Sequence, residues 1–513
     1  MYMYFEKKVL VCCQTRGHVQ TVSVTLQRLG FSLRRWTMPL NPTIHEAASF
    51  FVNAMPISFV DGAKLLVTAL TTMHVGHAAT SASPLAAASL GVLTFNVAGN
   101  MVITAPLSAM DTIAPQSFGA GNLVGVGLTA LRALLTAFAF LLPTAPLWLY
   151  SSEILVALGQ PPEVAAVARW NMLLLLPGLV PFAIFEVARK FVYAQGLQWP
   201  PLPAACVGLV SHALWLEVAC ALLGEDGAML APFFTFSTMA LVLVLLIRFR
   251  LPATVAAWPR ADQRRLLFTD AKAWRHFLVT SVASLLSLTE WLFWEFVCFR
   301  AGALGTLPLA TYSIGYSLEP CLFMIAIGLS TALTNAVGAH LGAGEVDKAR
   351  RVTAIGLGVG LLSVCVYAGC AAMARDLLTG CFSQDAAVLA AAADMWPSWS
   401  LFLLVSGTFA LTLGLVKGLG LQKQMATLVI CVLWPVGAPL VWVAQEPAQV
   451  WQMLAVTYLL LATAISLCAG CFDWHVLSAK AVELSRSDVA PTAQAASGGG
   501  LAAADGAKAA LEL

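Results

Sequence analysis

The chain has 513 residues, of which 59% are hydrophobic and only 11% are charged, and its mean hydropathy is +0.82. These values exclude an ordinary soluble domain and indicate a membrane protein with many spans. The net charge of +2, without an extended basic patch, argues against a nucleic-acid partner.

Residues 1–48 form a mixed, mostly basic stretch, which we predict to be a cytosolic N-terminal extension. From there to residue 474 the chain contains about twelve apolar segments, each long enough to cross a bilayer as a helix. Their apolar character is continuous rather than alternating, which favours helices over strands. We therefore predict an all-α polytopic membrane protein with about twelve transmembrane helices.

The connections between these segments indicate the orientation of the chain. Basic residues, among them Arg189 and Lys190, fall in alternate connections in phase with the basic N-terminus, whereas the opposite connections carry little beyond Arg375. By the positive-inside rule, both termini are predicted to be cytosolic.

A long basic connection at 249–275 divides the spans into two groups of six. We predict a first lobe at 49–248 with spans 1 to 6, and a second lobe at 276–474 with spans 7 to 12. Residues 475–513 are rich in Ala, Gly and Ser, a composition that forms no core, and we predict a disordered cytosolic tail.

Two short words recur in both lobes. PLAAASLG at 84–91 returns as PLATYSIG at 308–315, and FGAGN at 118–122 returns as LGAGE at 341–345. The same landmarks in the same order indicate an internal repeat, with the six-helix lobes related by an axis along the membrane normal.

Two carboxylates, Glu290 and Glu295, interrupt the apolar segment SLTEWLFWEF at 287–296. An ionised carboxylate at this depth costs a few kcal/mol, so such residues are expected to face an internal cavity and to function there. Five helical positions separate the two by about 140° and 7.5 Å, so they cannot share one face. We expect Glu290 to bind a proton and a cation in turn, and Glu295 to support it.

Other polar and aromatic residues in the apolar segments are candidates for a substrate cavity. Trp291 and Trp294 offer faces for a cation, or else pack in the core or against lipid. Asp61 and Lys64 form an intrahelical ion pair or line the cavity. Glu319 precedes a proline, and helices broken by proline often line cavities. Ser406 is a further candidate for the cavity.

The sequence predicts no metal site and no other cofactor. His74 and His77 are one helical turn apart but have no evident third ligand, and Cys468 and Cys471 lie inside an apolar segment. We expect these pairs to pack structurally.

The order and spacing of several motifs over nearly 400 residues resemble one known family. They are Val75-Gly76-His77, Phe95-Asn96-Val97 with Gly99, SAMDTIAPQSFGAG at 108–121, PGLVP at 177–181, Gln195-Gly196 with Pro200, Glu290-Trp291 with Glu295, Gly328 to Ser330, Gly338, Leu341 to Gly344, and GLG at 418–420. The chain is similar to the eukaryotic branch of the multidrug and toxic compound extrusion (MATE) family. The resemblance implies a two-lobed, twelve-helix transporter that exports organic cations or other amphipathic toxicants in exchange for H⁺ or, in some branches, Na⁺.

The chain departs from the family pattern at three positions. Ser406 stands where many eukaryotic members have an acidic residue, Asp61 stands where relatives often have Gln, and Thr71 replaces the coupling carboxylate of the bacterial branch. These departures concentrate the expected coupling role on Glu290, with Glu319 as a candidate replacement for the acid absent at position 406.

We therefore predict a proton-driven antiporter of organic cations and xenobiotics, not an enzyme, that acts as a monomer in the plasma membrane or an organellar membrane. Its partners are small organic cations and the lipid bilayer. A flippase for lipid-linked or amphipathic precursors and a membrane-embedded enzyme are the alternatives.

Overall fold

The computed structural model describes residues 42–78, 82–383 and 385–487. These residues are predominantly helical and contain no strand, and twelve helical segments are long and apolar enough to cross a membrane. The predicted all-α fold with twelve spans is confirmed. Most of the predicted N-terminal extension, 1–48, lies outside the described residues, and the first helix begins within it at Pro42.

Six spans form the first half of the chain. In order they are Pro42–Ala78 (span 1), Ala82–Phe95 with Asn96–Asn100 and Met101–Gly119 (span 2), Leu123–Leu141 with Leu142–Thr144 and Ala145–Leu149 (span 3), Pro162–Leu175 with Leu176–Gly178 and Leu179–Tyr193 (span 4), Pro201–Leu223 (span 5), and Glu225–Leu230 with Ala231–Arg250 (span 6). A short helix, Ser151–Ala157, connects spans 3 and 4.

Six further spans form the second half. In order they are Ala271–Ser287 with Thr289–Ala303 (span 7), Thr306–Gly342 (span 8), Val346–Met373 (span 9), Ala386–Leu419 (span 10), Gln422–Val432 with Leu433–Gly437 and Ala438–Trp442 (span 11), and Pro447–Cys471 (span 12). Short helical turns, Pro252–Val255, Gln263–Arg265 and Leu266–Thr269, connect the halves, and Arg375–Gly380 connects spans 9 and 10.

Polar side chains and glycines set the ends of several spans. Asn122 and Asp270 cap the first turns of spans 3 and 7 by each accepting a hydrogen bond from the backbone N–H group three positions further along the chain. Gly420 ends span 10 with a φ of 78°, a left-handed conformation that a side chain would disfavour. Local sequence therefore places the helix boundaries between the apolar segments.

Several spans are interrupted within the depth of the membrane. Span 2 contains a π-helical turn at Asn96–Asn100, and span 11 contains another at Leu433–Gly437. Span 7 is interrupted at Leu288, a single residue between two α-helical segments that is not itself part of either. Irregular backbone at this depth is tolerated where it is enclosed by protein or lines a cavity, so these breaks point to the interior of the bundle.

The two halves meet at the end of the bundle that carries the turns at 120–122 and 343–345. There the inner part of span 2, Met101–Gly119, packs against spans 7, 8 and 10, whereas its outer part, Ala82–Phe95, packs against span 4 of its own half. At Gly119 and Gly342 the backbones of spans 2 and 8 are so close that an added Cβ would collide with a carbonyl group. We call this region the closed end.

The prediction of a disordered tail is wrong over its first part. Residues 475–513 were expected to be disordered, but Trp474–Ser487 is a helix, which we call the tail helix. Its Ser478, Ala481 and Ser485 are buried, at spacings of three and four residues that place them on one face. Packing of this face compensates for a low overall hydrophobicity; residues 488–513 lie outside the described residues.

Candidate functional site

Glu290 lies immediately after the break in span 7. It is the second residue of the half-helix Thr289–Ala303, where backbone N–H groups have no partner within the helix. The positive end of the helix dipole favours a negative charge at this position. The break therefore gives the carboxylate a partly compensating environment without a basic side chain.

Two neutral donors hold the Glu290 carboxylate. The hydroxyl of Tyr458 in span 12 donates to Oε1 over 2.8 Å, and the indole of Trp294 also hydrogen-bonds to the carboxylate. Tyr458 is itself buried, with 1% of its surface exposed. These bonds fix the orientation of the carboxylate and leave its charge uncompensated.

Aromatic rings surround this arrangement. Trp294 packs against Tyr316, Phe402, Trp451 and Tyr458, with ring centroids between 5.5 and 6.2 Å apart. Trp294 is thus an interior residue that contacts Glu290, whereas the next candidate, Trp291, is 41% exposed.

Glu295 has a different environment from Glu290. It is partly exposed and hydrogen-bonds to Tyr316 of span 8. The two carboxylates thus have partners on different helices, as their spacing in the sequence predicts.

Glu319 brings a third carboxylate into the same region. It is buried in span 8, one residue before Pro320, and it interacts electrostatically with Glu290. Ser406 of span 10 interacts with Glu319 and is 1% exposed, and its hydroxyl donates to Leu403 O over 3.3 Å. The position at which the resemblance implies an acidic residue is therefore adjacent to an acidic residue from another helix.

No basic side chain neutralises these carboxylates. Among the residues that the structure describes, no Lys, Arg or His forms an ion pair with Glu290, Glu295 or Glu319. The second half therefore contains three acids without an ion-pair partner among the described residues, of which Glu290 and Glu319 interact with each other. We call Glu290, Glu295 and Glu319 the acidic cluster.

Asp61 and Lys64 lie elsewhere, in a buried ionic network of the first half. Lys64 Nζ is 2.7 Å from Asp61 Oδ1 and 2.8 Å from Glu186 Oε1. Arg189 completes the network, with Nη1 3.2 Å from Asp61 Oδ1 and Nη2 2.6 Å from Glu186 Oε2. These two acids and two bases form a neutral set, which we call the ionic network.

The place of Arg189 corrects the interpretation of its sequence position. Arg189 and Lys190 were read as charges in a connection, but span 4 continues to Tyr193, and Arg189 is only 4% exposed. Lys190 pairs with Asp111 of span 2. Both basic residues therefore neutralise acids inside the first half.

Thr71, at the position of the bacterial carboxylate, contacts a buried histidine. Its hydroxyl donates to Val67 O over 2.9 Å and lies 3.3 Å from His212 Nε2, while His212 Nδ1 lies 2.8 Å from Thr235 Oγ1. None of these contacts of Thr71 and His212 involves an acidic residue.

The histidine and cysteine pairs are not assembled into a larger site. His74 Nε2 lies 3.7 Å from Cys220 Sγ, the side chain of His77 is outside the described residues, and Cys468 and Cys471 are free thiols. Within the described parts of the chain, no group of three or more His, Cys, Asp or Glu side chains is arranged to hold a metal ion.

Sequence reasoning missed Tyr458 and Glu186. Tyr458 is 168 positions from Glu290 within an ordinary apolar span, so no local pattern identifies it. Glu186 and Arg189 did carry a signal, because an acid and a base three positions apart in an apolar segment repeat the spacing of Asp61 and Lys64.

Comparison with known proteins agrees with this architecture. The sequence model of the MatE family matches residues 56–215 and 282–443, one stretch in each half. An uncharacterized transporter of Schizosaccharomyces pombe is 30% identical over 360 residues, covering 69% of this chain and 65% of the relative. Multidrug and toxin extrusion protein 1 of Danio rerio is 27% identical over 379 residues, covering 73% and 62%. The chain thus spans somewhat less than two thirds of these two relatives.

Solved structures show the same fold. The crystal structure of the eukaryotic MATE transporter AtDTX14 superposes with a TM-score of 0.79 at 22% identity, covering 87% of this chain and all of that one. The Vibrio cholerae MATE transporter VcmN in the bent form gives a TM-score of 0.69 at 18% identity, covering 87% and 99%. With its twelve spans and a family match in both halves, the chain belongs to the MatE family of multidrug and toxin extrusion transporters.

Proposed function

We propose that this protein is a secondary antiporter that exports organic cations in exchange for protons by alternating access between its two halves. The observation that carries the proposal is the acidic cluster, in which Glu290 is held by neutral donors and has no ion-pair partner among the described residues, with Lys417 as the one base that acts on it electrostatically. Such a carboxylate is suited to bind a proton or a cation that enters the site.

Mutual exclusion at Glu290 supplies the coupling. A cationic substrate favours the ionised carboxylate, and a bound proton removes the charge that attracts the substrate, so each ligand lowers the affinity for the other. Tyr458 and Trp294 donate to the ionised form and keep its position constant. The surrounding aromatic rings add apolar and cation-π contacts suited to an organic cation.

Glu319 contributes a second negative charge close to Glu290. Two neighbouring carboxylates resist simultaneous ionisation, so one of them retains a proton until a cation compensates the pair. We infer that Glu319, which lies beside Ser406, takes the role of the acid absent at position 406. Acids at this site favour a cation over an anionic lipid-linked precursor.

The contacts between the halves support alternating access. The closed end lies on the side predicted to be cytosolic, and we infer that the described state is closed towards the cytosol. Export requires the closed end to open, admit the substrate from the cytosol and close again.

The proposal is tested with purified protein in proteoliposomes, using efflux of a fluorescent organic cation under separately imposed pH and Na⁺ gradients. The wild type is expected to respond to the pH gradient, and Glu290→Gln is expected to lose this response because the side chain can no longer exchange a proton. Glu217→Gln, which makes the same chemical change at an exposed position of span 5, is the control. Gradient-driven efflux by Glu290→Gln at the wild-type rate would refute the role of Glu290 in coupling. If the wild type responded to the Na⁺ gradient alone, Na⁺ and not H⁺ would be the coupling ion.

A further inference from the structure

The tail helix, Trp474–Ser487, is attached to both halves at the closed end. It follows span 12 after a short turn in which Asp473 Oδ1 accepts a hydrogen bond from His475 N over 2.9 Å. This bond fixes the start of the helix next to the end of span 12. The tail helix then contacts spans 2, 7, 8 and 9.

On the second half, the tail helix is bound at the turn between spans 8 and 9. Ser478 Oγ donates to Leu341 O over 2.7 Å, and this hydrogen bond is buried. The guanidinium of Arg350, at the start of span 9, lies 5.9 Å from the ring centroid of Trp474. The first two turns of the tail helix are thus held by the second half.

On the first half, the tail helix is bound at the turn between spans 2 and 3. Asn122 Nδ2 donates to Ser485 O over 2.6 Å, again in a buried position. The other side-chain atom, Asn122 Oδ1, accepts from Gly125 N over 2.8 Å and caps span 3. One asparagine therefore fixes both the start of a span and the end of the tail helix.

The two attachment points lie in the two words of the internal repeat, at its last position in the first half and at its first position in the second half. Asn122 belongs to FGAGN at 118–122, and Leu341 begins LGAGE at 341–345. Ser478 and Ser485 are seven positions apart, which corresponds to about 10.5 Å along a helix. A hydrogen bond breaks when the distance between its donor and acceptor atoms grows by as little as about 1 Å. A rigid helix therefore cannot keep both hydrogen bonds if the two turns move apart.

We propose that the tail helix is a strap that joins the two repeat-related turns and stabilises the state in which the closed end is shut. Opening of this end then requires release of the strap from Asn122 or from Leu341. The strap sets the ratio of open to closed molecules before any substrate binds. This inference rests on the proposed alternating access for its role in transport, although the strap itself is testable without transport.

The test measures the distance between the halves at the closed end by electron spin resonance on full-length protein. Spin labels are placed at Arg248 of span 6 and Lys348 of span 9, both exposed, in a background in which the twelve native cysteines are replaced. Asn122→Asp keeps the oxygen that caps span 3 but removes the donor to Ser485 O. Ser478→Ala removes the other attachment, and Leu341 O keeps its bond from Gly344 N.

Each variant is expected to raise the ratio of long to short distances about fivefold, the change that corresponds to one net hydrogen bond. Glu483→Gln is the matched control, because it breaks the exposed pair between Lys272 Nζ and Glu483 Oε1, 2.9 Å apart, and exposed pairs contribute little. Thermal unfolding of each variant verifies that it is folded.

Unchanged distance distributions in both Asn122→Asp and Ser478→Ala would overturn the strap, as would an equal shift in the Glu483→Gln control. The measurement needs neither substrate nor gradient, so its outcome is independent of the antiport assay. If Glu290→Gln transports normally, antiport at Glu290 fails while a distance shift still supports the strap.

Discussion

The two halves of this transporter handle buried charge in opposite ways. In the first half, Asp61, Lys64, Glu186 and Arg189 form a neutral set in which every acid contacts a base. In the second half, the acidic cluster has no base within ion-pair distance among the described residues, and neutral groups such as the Tyr458 hydroxyl donate to it. A neutral network has no need of an external ion, whereas an acid without an ion-pair partner attracts one. The difference is the basis for proposing a structural role for the first network and ion coupling for the second.

The largest expected effect comes from breaking the ionic network. Arg189→Met should lower the free energy of unfolding by about 3–5 kcal/mol, because it leaves Asp61 and Glu186 buried with only Lys64 between them. Thermal unfolding in detergent measures the loss.

Arg351→Met provides the control for that change. Arg351 makes hydrogen bonds of 2.8 and 3.0 Å to Glu46, but both side chains are substantially exposed, so its loss should cost less than about 1 kcal/mol. Equal destabilisation by the two variants would contradict a structural role specific to the buried network.

The second-largest effect is expected at positions 319 and 406, either of which can place an acidic side chain near Glu290. Glu319→Gln should reduce proton-driven efflux about tenfold, because the site loses one of its two neighbouring carboxylates. Adding Ser406→Glu to this variant should restore most of the activity, since residues 319 and 406 are in contact. Efflux rates in proteoliposomes measure both steps; a double variant no more active than Glu319→Gln would show that the positions are not interchangeable.

The smallest effect is expected from Tyr458→Phe. Loss of the 2.8 Å hydrogen bond removes a donor that favours the ionised form of Glu290, so the pH profile of efflux should move to higher pH. Tyr367→Phe, which removes a buried hydroxyl without a hydrogen-bond partner among the described residues, is the control. An unchanged pH profile of efflux in Tyr458→Phe would show that the Tyr458 hydroxyl has no role in coupling.

The sequence predicts the fold well because burial in a membrane imposes simple rules. Length and continuous apolar character define the spans, and the recurrence of FGAGN as LGAGE indicates the repeat. The break at Leu288 was not predictable, because no proline or glycine marks it. The tail helix was not predicted, because the composition was averaged over all of residues 475–513. The small residues at 478, 481 and 485 nevertheless share one helical face.

The site was only partly predictable. Glu290 stands out because an acid in an apolar segment is costly, and Asp61 pairs with Lys64 as their spacing suggests. Pairings between distant spans, such as Tyr458 with Glu290 or Lys64 with Glu186, depend on tertiary packing that no local pattern encodes.

The glycine contacts at the closed end bear on the efficiency of energy conversion. At Gly119 and Gly342, the backbones of the two halves touch with no side chain between them. A chain of water molecules needs space between polar groups, and this contact leaves none at those two positions. Under the proposed antiport, a proton that crosses without cargo wastes the gradient. Direct backbone contact would then limit such uncoupled leak during the part of the cycle in which this end is shut.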